Sequence, residues 1–579
     1  MSDYLFQWND NPVEVDLSSQ VLELEVDDEV TFWSVRGRPD LKRERKQDIA
    51  AIDVKAPVEP YLYPQLPCSP TLGNWTPSLA FSLKAKAFDD GCLAAVELLV
   101  QEGTPRLAGR RGLVEGVRKV LRGRWSASAS DDLGRALAFL QVALSMSGEV
   151  EESDAGVTRL AKKLRKDFND DPTHSKPQGF YSWSPALRSV FLQDRFLQTG
   201  LPANIAELLH QALAEEPSRL ADYQRHLSLM ARLTNPLVKP AVHEEGSERC
   251  FLPPSDSHEG RIVKSLFATK EPPEGFQLVH ELIQRIRDGR LDTTPGPHSG
   301  VYDYQLHALV PLLFPERTPE AERLVLGPKY CAELEAQFRA LFALARETQA
   351  KQLEQLYGGG CPLIVAPKLS LEPLAEHYRR RAETYRLLRQ LLGEFLGAPA
   401  LALARRLKPK GTHEESLWDE LVWMEQLFRG AHAIARNELG FGPIPEADLS
   451  AAMLTRRWMR THHEDPDVVE DPRCVVPLFF DVERQQTKVL AVMGFLSTPV
   501  KAHFRRKPQV TVLGPPPSPP WTTTPRFETR TFNTLCLVTE EVYVNKVPDR
   551  DEFRALCDKH YTRDAIVKAL CRRTRRRAG

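Results

Sequence analysis

Residues 130–148, SDDLGRALAFLQVALSMSG, decide how most of this chain folds. Leu133, Leu137, Leu140 and Leu144 recur every three or four positions, which gathers their side chains on one face of an α-helix. Ser130 stands before them as an N-cap, Asp131 and Asp132 complement the positive end of the helix dipole, and Gly148 stops the pattern. A helix with one such stripe must bury it against another element.

The same signal recurs outward along the chain. Residues 202–213 carry the stripe Ile205, Leu208, Leu209 and Ala212, and residues 218–233 carry Leu220, Tyr223, Leu227 and Met230, with Pro217 between them. So short a break predicts antiparallel neighbours. Leu334, Phe338, Leu341 and Ala345 predict a helix over 330–357, stopped by Gly358, Gly359 and Gly360. Leu374, Tyr378, Tyr385, Leu388, Leu392 and Phe395 make the next face, closed by Gly397. Thr412 and Glu415 match a Thr-x-x-Glu capping box, predicting a helix from Thr412 through Leu417, Leu421, Met424, Phe428 and Ala431 to Gly440.

The period changes to two at both ends. Residues 475–482 and 487–495 read as strands joined by a four-residue loop at 483–486, and 533–547 as a further strand pair or edge strand. The proline-rich stretch 515–525 cannot be a central strand. Near the N-terminus Leu22, Leu24 and Val26 alternate with Glu23 and Glu25, and after a polar break residues 30–35 complete a hairpin. Two short helices, 549–558 and 562–570, lead into a basic tail.

The expected fold is therefore mainly α, a multi-helix, bundle-like core with a small N-terminal β hairpin and a C-terminal β-rich module, α+β overall. A chain of 579 residues exceeds what one hydrophobic core sustains. The divisions that follow are an N-terminal β-containing arm (1–56), a Pro-rich linker (57–77) with six prolines, a first helical block (78–240), a polar connection (241–274), a second helical block (275–465), a β-rich module (474–547) and C-terminal helices with the basic tail (548–579).

Composition narrows the function. Apolar residues make up 42% and charged residues 27%, too apolar for a largely disordered chain. A net charge of −1 supplies no long-range field to draw in nucleic acid or an anionic membrane surface. The start of the chain has no basic region followed by an apolar one, and nothing approaches the ~18 consecutive apolar residues of a membrane span, so a cytoplasmic location is expected. The closest of nine cysteines, Cys557 and Cys571, stand 14 positions apart, which excludes a CxxC zinc or redox motif. Mostly reduced thiols are expected.

Phosphate loops, dinucleotide-binding glycines, HExxH and a nucleophile elbow are absent. Glu207 and His210 have the spacing of a di-metal carboxylate helix, but no second copy accompanies them. Asp303 and His307 lie four apart on a predicted helix, where a carboxylate can fix an imidazole tautomer for general-base work. His462, His463, Asp465 and Asp467, with Glu464, Glu470 and Asp471, crowd a turn and supply metal-ligand chemistry. Asp167, Asp170, Asp171 and His174 form a third polar cluster whose plain reading is a solvated loop. Phe180, Tyr181 and Trp183 precede a helix begun by Ser184 and Pro185 and are expected to pin its entry into the core. Arg572, Arg573, Arg575, Arg576 and Arg577 could meet phosphates, yet without interleaved aromatics a solubilising end is the simpler reading.

Extensive helical stripes without a catalytic signature point to a binding or scaffold protein with a protein partner. Two other expectations stand beside it: a metal-assisted hydrolase or related helical enzyme using Asp303 and His307 with His462 and His463, and weak nucleic-acid binding through the arginine tail. No cofactor is indicated, and the residues do not fix the oligomeric state.

Overall fold

The computed structural model describes residues 6–8, 11–17, 20–27, 62, 78–126, 130–148, 150, 154–171, 175–255, 257–267, 275–348, 369–506, 509–512, 529–560 and 562–575. Helices dominate them, as the stripes require. α1 (Ser78–Glu102), α2 (Arg110–Gly123), α3 (Asp131–Met146), α4 (Ala155–Asn169), α5 (Pro185–Leu197), α6 (Ala203–Ala214) and α7 (Pro217–Leu233) come first. The caps read from the sequence are in place: Ser130 accepts from the Leu133 N–H at 3.3 Å, and Ser184 from Leu187 at 3.2 Å with Pro185 at the first helical position.

α8 (His258–Phe267), α9 (Leu278–Arg287), α10 (Val301–Leu309), α11 (Pro328–Thr348), α12 (Ala375–Phe395), α13 (Ala398–Leu403), α14 (Leu417–Glu438) and α15 (Glu446–Thr461) follow. α11 is traced to Thr348, and the glycines at 358–360 lie outside the described residues. The helix expected from Thr412 begins instead at Leu417. Residues Thr412–Ser416 are a strand paired with Arg405–Leu407, so Thr412 is committed to a hairpin, and Ser416 is the cap, accepting from the Asp419 N–H at 3.1 Å.

The strands form one curled sheet and several small ribbons. Its spine is the strand Gln486–Phe504, antiparallel along one edge to Arg530–Val544. Its other edge is shared: Cys474–Asp481 pairs with the first part, and Leu22–Val26 with the last, Val26 opposite Val500. Leu324–Leu326 then adds in parallel to Leu22–Val26. The N-terminal strand thus completes the C-terminal sheet, while its expected partner at 30–35 lies outside the described residues, as does the rest of the 57–77 linker apart from Leu62. Alternation identified the strand but carried no information about so distant a neighbour.

The largest apolar core joins α1, α8 to α15 and one face of the sheet; a second is built by α2 to α7 with the loop around Phe251; a third seats α16 (Arg550–Cys557) and α17 (Arg563–Arg575) on the sheet's opposite face. Glu541 of the sheet accepts from the Leu278 and Val279 N–H groups at 2.7 and 2.8 Å, so a strand side chain satisfies the first turn of α9. Gly91 lets α1 touch the Arg405–Leu407 strand: a Cβ there would stand 2.2 Å from the Leu407 carbonyl oxygen. Among the described residues no helix is long and apolar enough to cross a membrane.

Candidate functional site

The residues singled out by chemistry are dispersed. Asp303 does not turn to His307; it pairs with His258 Nε2 of α8 at 3.1 Å, and Arg261 donates to the other ring nitrogen at 2.8 Å. Arg380 donates to the His307 carbonyl at 2.9 Å, and burial with the nearby Arg380 charge pulls that imidazole down to about 4. His462 is buried, donates Nδ1–H to the Met459 carbonyl at 3.0 Å, and is pushed by burial to about 3. His463 is 3.6 Å from Glu464 at the surface.

Asp465 and Asp467 point at cations instead of at the histidines. Lys84 of α1 reaches Asp465 at 3.0 Å and Asp467 at 2.7 Å, and Arg406 binds Asp467 at 2.7 Å and Glu420 at 2.9 Å. Burial alone would raise the Asp467 carboxyl, but Lys84 and Arg406 outweigh it and hold the group below the usual carboxylate range. Both aspartates are thereby neutralised by protein. Among the described residues no group of three or more His, Cys, Asp and Glu side chains is placed to hold a metal ion.

A second buried network lies further along α1. Lys86 donates to Asp90 and to Thr348, while Asp89 accepts from Gln305 at 3.0 Å, from Arg381 at 3.1 Å and from Tyr385 at 2.9 Å. Burial raises the Asp89 carboxyl and lowers the Lys86 amine. The cavity against these groups holds about 40 Å³, room for a few water molecules and no substrate. Its polar atoms bond mostly to one another, which fits a device holding α1, α10, α11 and α12 in one register.

A much larger cavity lies elsewhere, in the α2–α7 block. It measures about 890 Å³ and lies between α3, α4, the end of α5 and the start of α6. The Phe196 ring stacks on Phe139 with centroids 5.1 Å apart and meets Phe168 edge-on at 5.5 Å, so three helices each contribute one ring to the wall. Leu160 and Leu164 add a stripe from α4, and Leu201 and Ile205 close the side formed by α6. α4 is held lightly: only Val157 and Ala161 of its side chains are fully buried.

The wall at 198–202 is fixed from outside. The Leu252 N–H donates to the Leu197 carbonyl at 3.0 Å, Cys250 Sγ reaches the Gln198 carbonyl at 3.2 Å, and Leu201–Pro202 pairs with Glu248–Arg249. α5 is anchored from behind, where Arg110 donates to Asp194 and Tyr181 donates to Glu97 at 2.9 Å. The 180–183 aromatics serve this packing, with Phe180 against Ala94 and Leu187.

Six charged side chains line this cavity, Arg135, Lys163, Asp167, Asp171, Arg195 and Lys239, and of the four cations Arg195 sits on α5 beside Phe196. Its guanidinium donates to Gln198 Oε1 at 2.9 Å, and among the described residues no carboxylate lies within ion-pair distance of it. Burial lowers its basicity, opposed by Tyr181 and by Asp171. Lys163, Lys239, Asp167 and Asp171 stand around the same space, and Lys239 is bound to Glu248 at 2.7 Å.

Of the third sequence cluster, Asp167 and Asp171 therefore line this cavity, Asp170 pairs with Lys166 at 3.0 Å, and His174 lies outside the described residues. Glu207 and His210 face each other at 3.9 Å on the surface of α6. The arginine side chains from 572 onward are likewise outside the described residues. Arg195, Phe139 and Phe196 were not singled out by the sequence, where Gln193, Asp194 and Arg195 read as the polar side of an ordinary amphipathic helix. No family model, curated protein or solved structure matches this chain.

Proposed function

We propose that this chain is a binding protein whose α2–α7 block holds a small molecule with an apolar body. The observation that carries the reading is the 890 Å³ cavity, in which Phe139, Phe168, Phe196 and aliphatic side chains form an apolar patch bordered by charged and polar groups such as Arg135, Lys163, Asp167 and Arg195. Ligand sites have that size and that balance, because apolar walls supply affinity while a few polar atoms fix orientation. The cleft opens to solvent at Arg135, Lys163, Asp167 and Thr199, and a ligand seated in it would cover the apolar patch that water now meets.

The test is titration of the full chain with the neutral fluorophore N-phenyl-1-naphthylamine, for the native sequence and for Ile205→Trp and Leu164→Trp. Saturable enhancement that falls at least tenfold in affinity in both variants, with their circular-dichroism spectra retained, supports the reading. Absence of saturable binding to the native chain, or equal binding to both variants, ends it.

A further inference from the structure

Resting on that reading, we infer that the ligand is an anionic amphiphile, an apolar chain or ring system ending in one oxyanion, and that Arg195 receives the oxyanion. Four observations converge on this chemistry.

Arg195 lines the cavity and is half-buried, yet among the described residues it meets no carboxylate at ion-pair distance. Most other arginines held in this protein's interior are paired: Arg110 with Asp194, Arg381 with Asp89, Arg406 with Glu420 and Asp467. Asp171 lies within electrostatic reach but not within ion-pair distance, so the half-buried guanidinium keeps donors free, and a planar oxyanion is what its donor fork fits.

Gln198 supplies the second observation. Its Oε1 accepts from Arg195, so the amide N–H₂ is left as a further donor beside the guanidinium, and Thr199 adds a hydroxyl on the same wall. The third is the start of α6. Pro202 occupies its N-cap and no side chain accepts from the first-turn N–H groups, while Pro202 and Ile205 line the cavity; the positive end of the helix thus borders the space that Arg195 lines.

The fourth is the apolar patch of Phe139, Phe168, Leu160 and Leu164, which offers a ligand no hydrogen-bonding side chain although Arg135, Lys163 and Asp167 of the same helices edge it. A polar molecule would lose its hydration there without replacement, whereas an aliphatic or aromatic body would not. Asp167 and Asp171 line the same cavity and offset the charge of Lys163 and Arg135, which leaves Arg195 with Gln198 as the place for one anionic head.

The experiment is displacement of N-phenyl-1-naphthylamine from the full chain by dodecanoate, dodecyl phosphate and neutral 1-dodecanol, in the native sequence and in Arg195→Met and Arg195→Lys. The expected result is displacement by at least one of the two anions at concentrations tenfold or more below dodecanol. Arg195→Met should abolish that gap and Arg195→Lys should keep part of it, each gap being taken relative to the variant's own fluorophore affinity. Dodecanoate against dodecyl phosphate identifies the head group. Equal displacement by anions and alcohol, or a gap that survives Arg195→Met, overturns the inference while leaving the cavity reading intact; failure of the fluorophore to bind at all overturns that reading instead.

Discussion

Arg195 and Gln198 are joined by a 2.9 Å hydrogen bond across the last turn of α5, and that bond aims the guanidinium along the wall of the large cavity. Gln198 occupies the C-cap position, where its carbonyl is held by Cys250, so the side chain is tethered at its base. Gln198→Met removes the acceptor and the neighbouring amide donor while keeping the length of the side chain. Losing one hydrogen bond to a charged group costs about 1.5–3 kcal/mol, so affinity for the anionic probe should fall roughly tenfold or more while 1-dodecanol is little affected. Isothermal calorimetry on both probes checks this; equal losses for the two would show that Gln198 only shapes the wall.

α4 contributes Leu160, Leu164 and Phe168 to the cavity but buries only Val157 and Ala161 completely. Local opening is cheapest where few apolar contacts hold an element. Amide hydrogen exchange over Ala155–Asn169 should therefore be faster than over α3, whose side chains from Leu133 to Met146 are mostly buried, and should slow when the cavity is filled. Exchange in α4 as slow as in α3, and unchanged by dodecanoate, would remove α4 as the moving wall.

Arg406 is 1% exposed and bridges Glu420 to Asp467, with Lys84 completing the cluster. Removing one member of a buried ion cluster leaves its partners uncompensated, at a cost of about 3–5 kcal/mol. Arg406→Met should lower the unfolding free energy obtained from urea titration by that amount without altering fluorophore affinity in the cavity of the α2–α7 block, whose core is separate. A fully stable Arg406→Met variant would contradict the role given to this network.

His377 is 5% exposed and donates Nδ1–H to the Ala308 carbonyl at 2.6 Å. Burial, with the charges of Arg381 and Arg380, lowers its imidazole to about 4, against about 6.5 when unfolded. Between those values the unfolded chain binds the proton and the folded chain does not. The stabilisation is therefore complete above pH 6.5 and is lost as pH falls toward 4, about 3 kcal/mol over the window. His226, also lowered by burial to about 4, adds to the same slope. Urea midpoints at pH 7 and pH 5 should differ in this direction, and His377→Gln should reduce the difference; equal midpoints would refute it.

The helices were legible because their information is local: a stripe such as Leu133 to Leu144 needs only its own spacing and caps. The capping box at Thr412 misled because pairing with Arg405–Leu407, a contact outside its own spacing, commits those residues to a strand. The partner of Leu22–Val26 was not legible, since the strand that takes it lies nearly five hundred residues away. Site chemistry was read from neighbours in sequence, Asp303 with His307 and His462 with Asp465, whereas the fold pairs Asp303 with His258 and Asp465 with Lys84. Arg195 carries no motif; only its position beside a cavity drawn from three helices distinguishes it.

The most direct measurement is a crystal structure of the full chain grown with 12-bromododecanoate, read by the anomalous signal of bromine. The account predicts a bromine peak among Phe139, Phe168 and Phe196, with the carboxylate on Arg195 and Gln198. A bromine peak confined to another part of the molecule, or an empty cavity at saturating ligand, would contradict it.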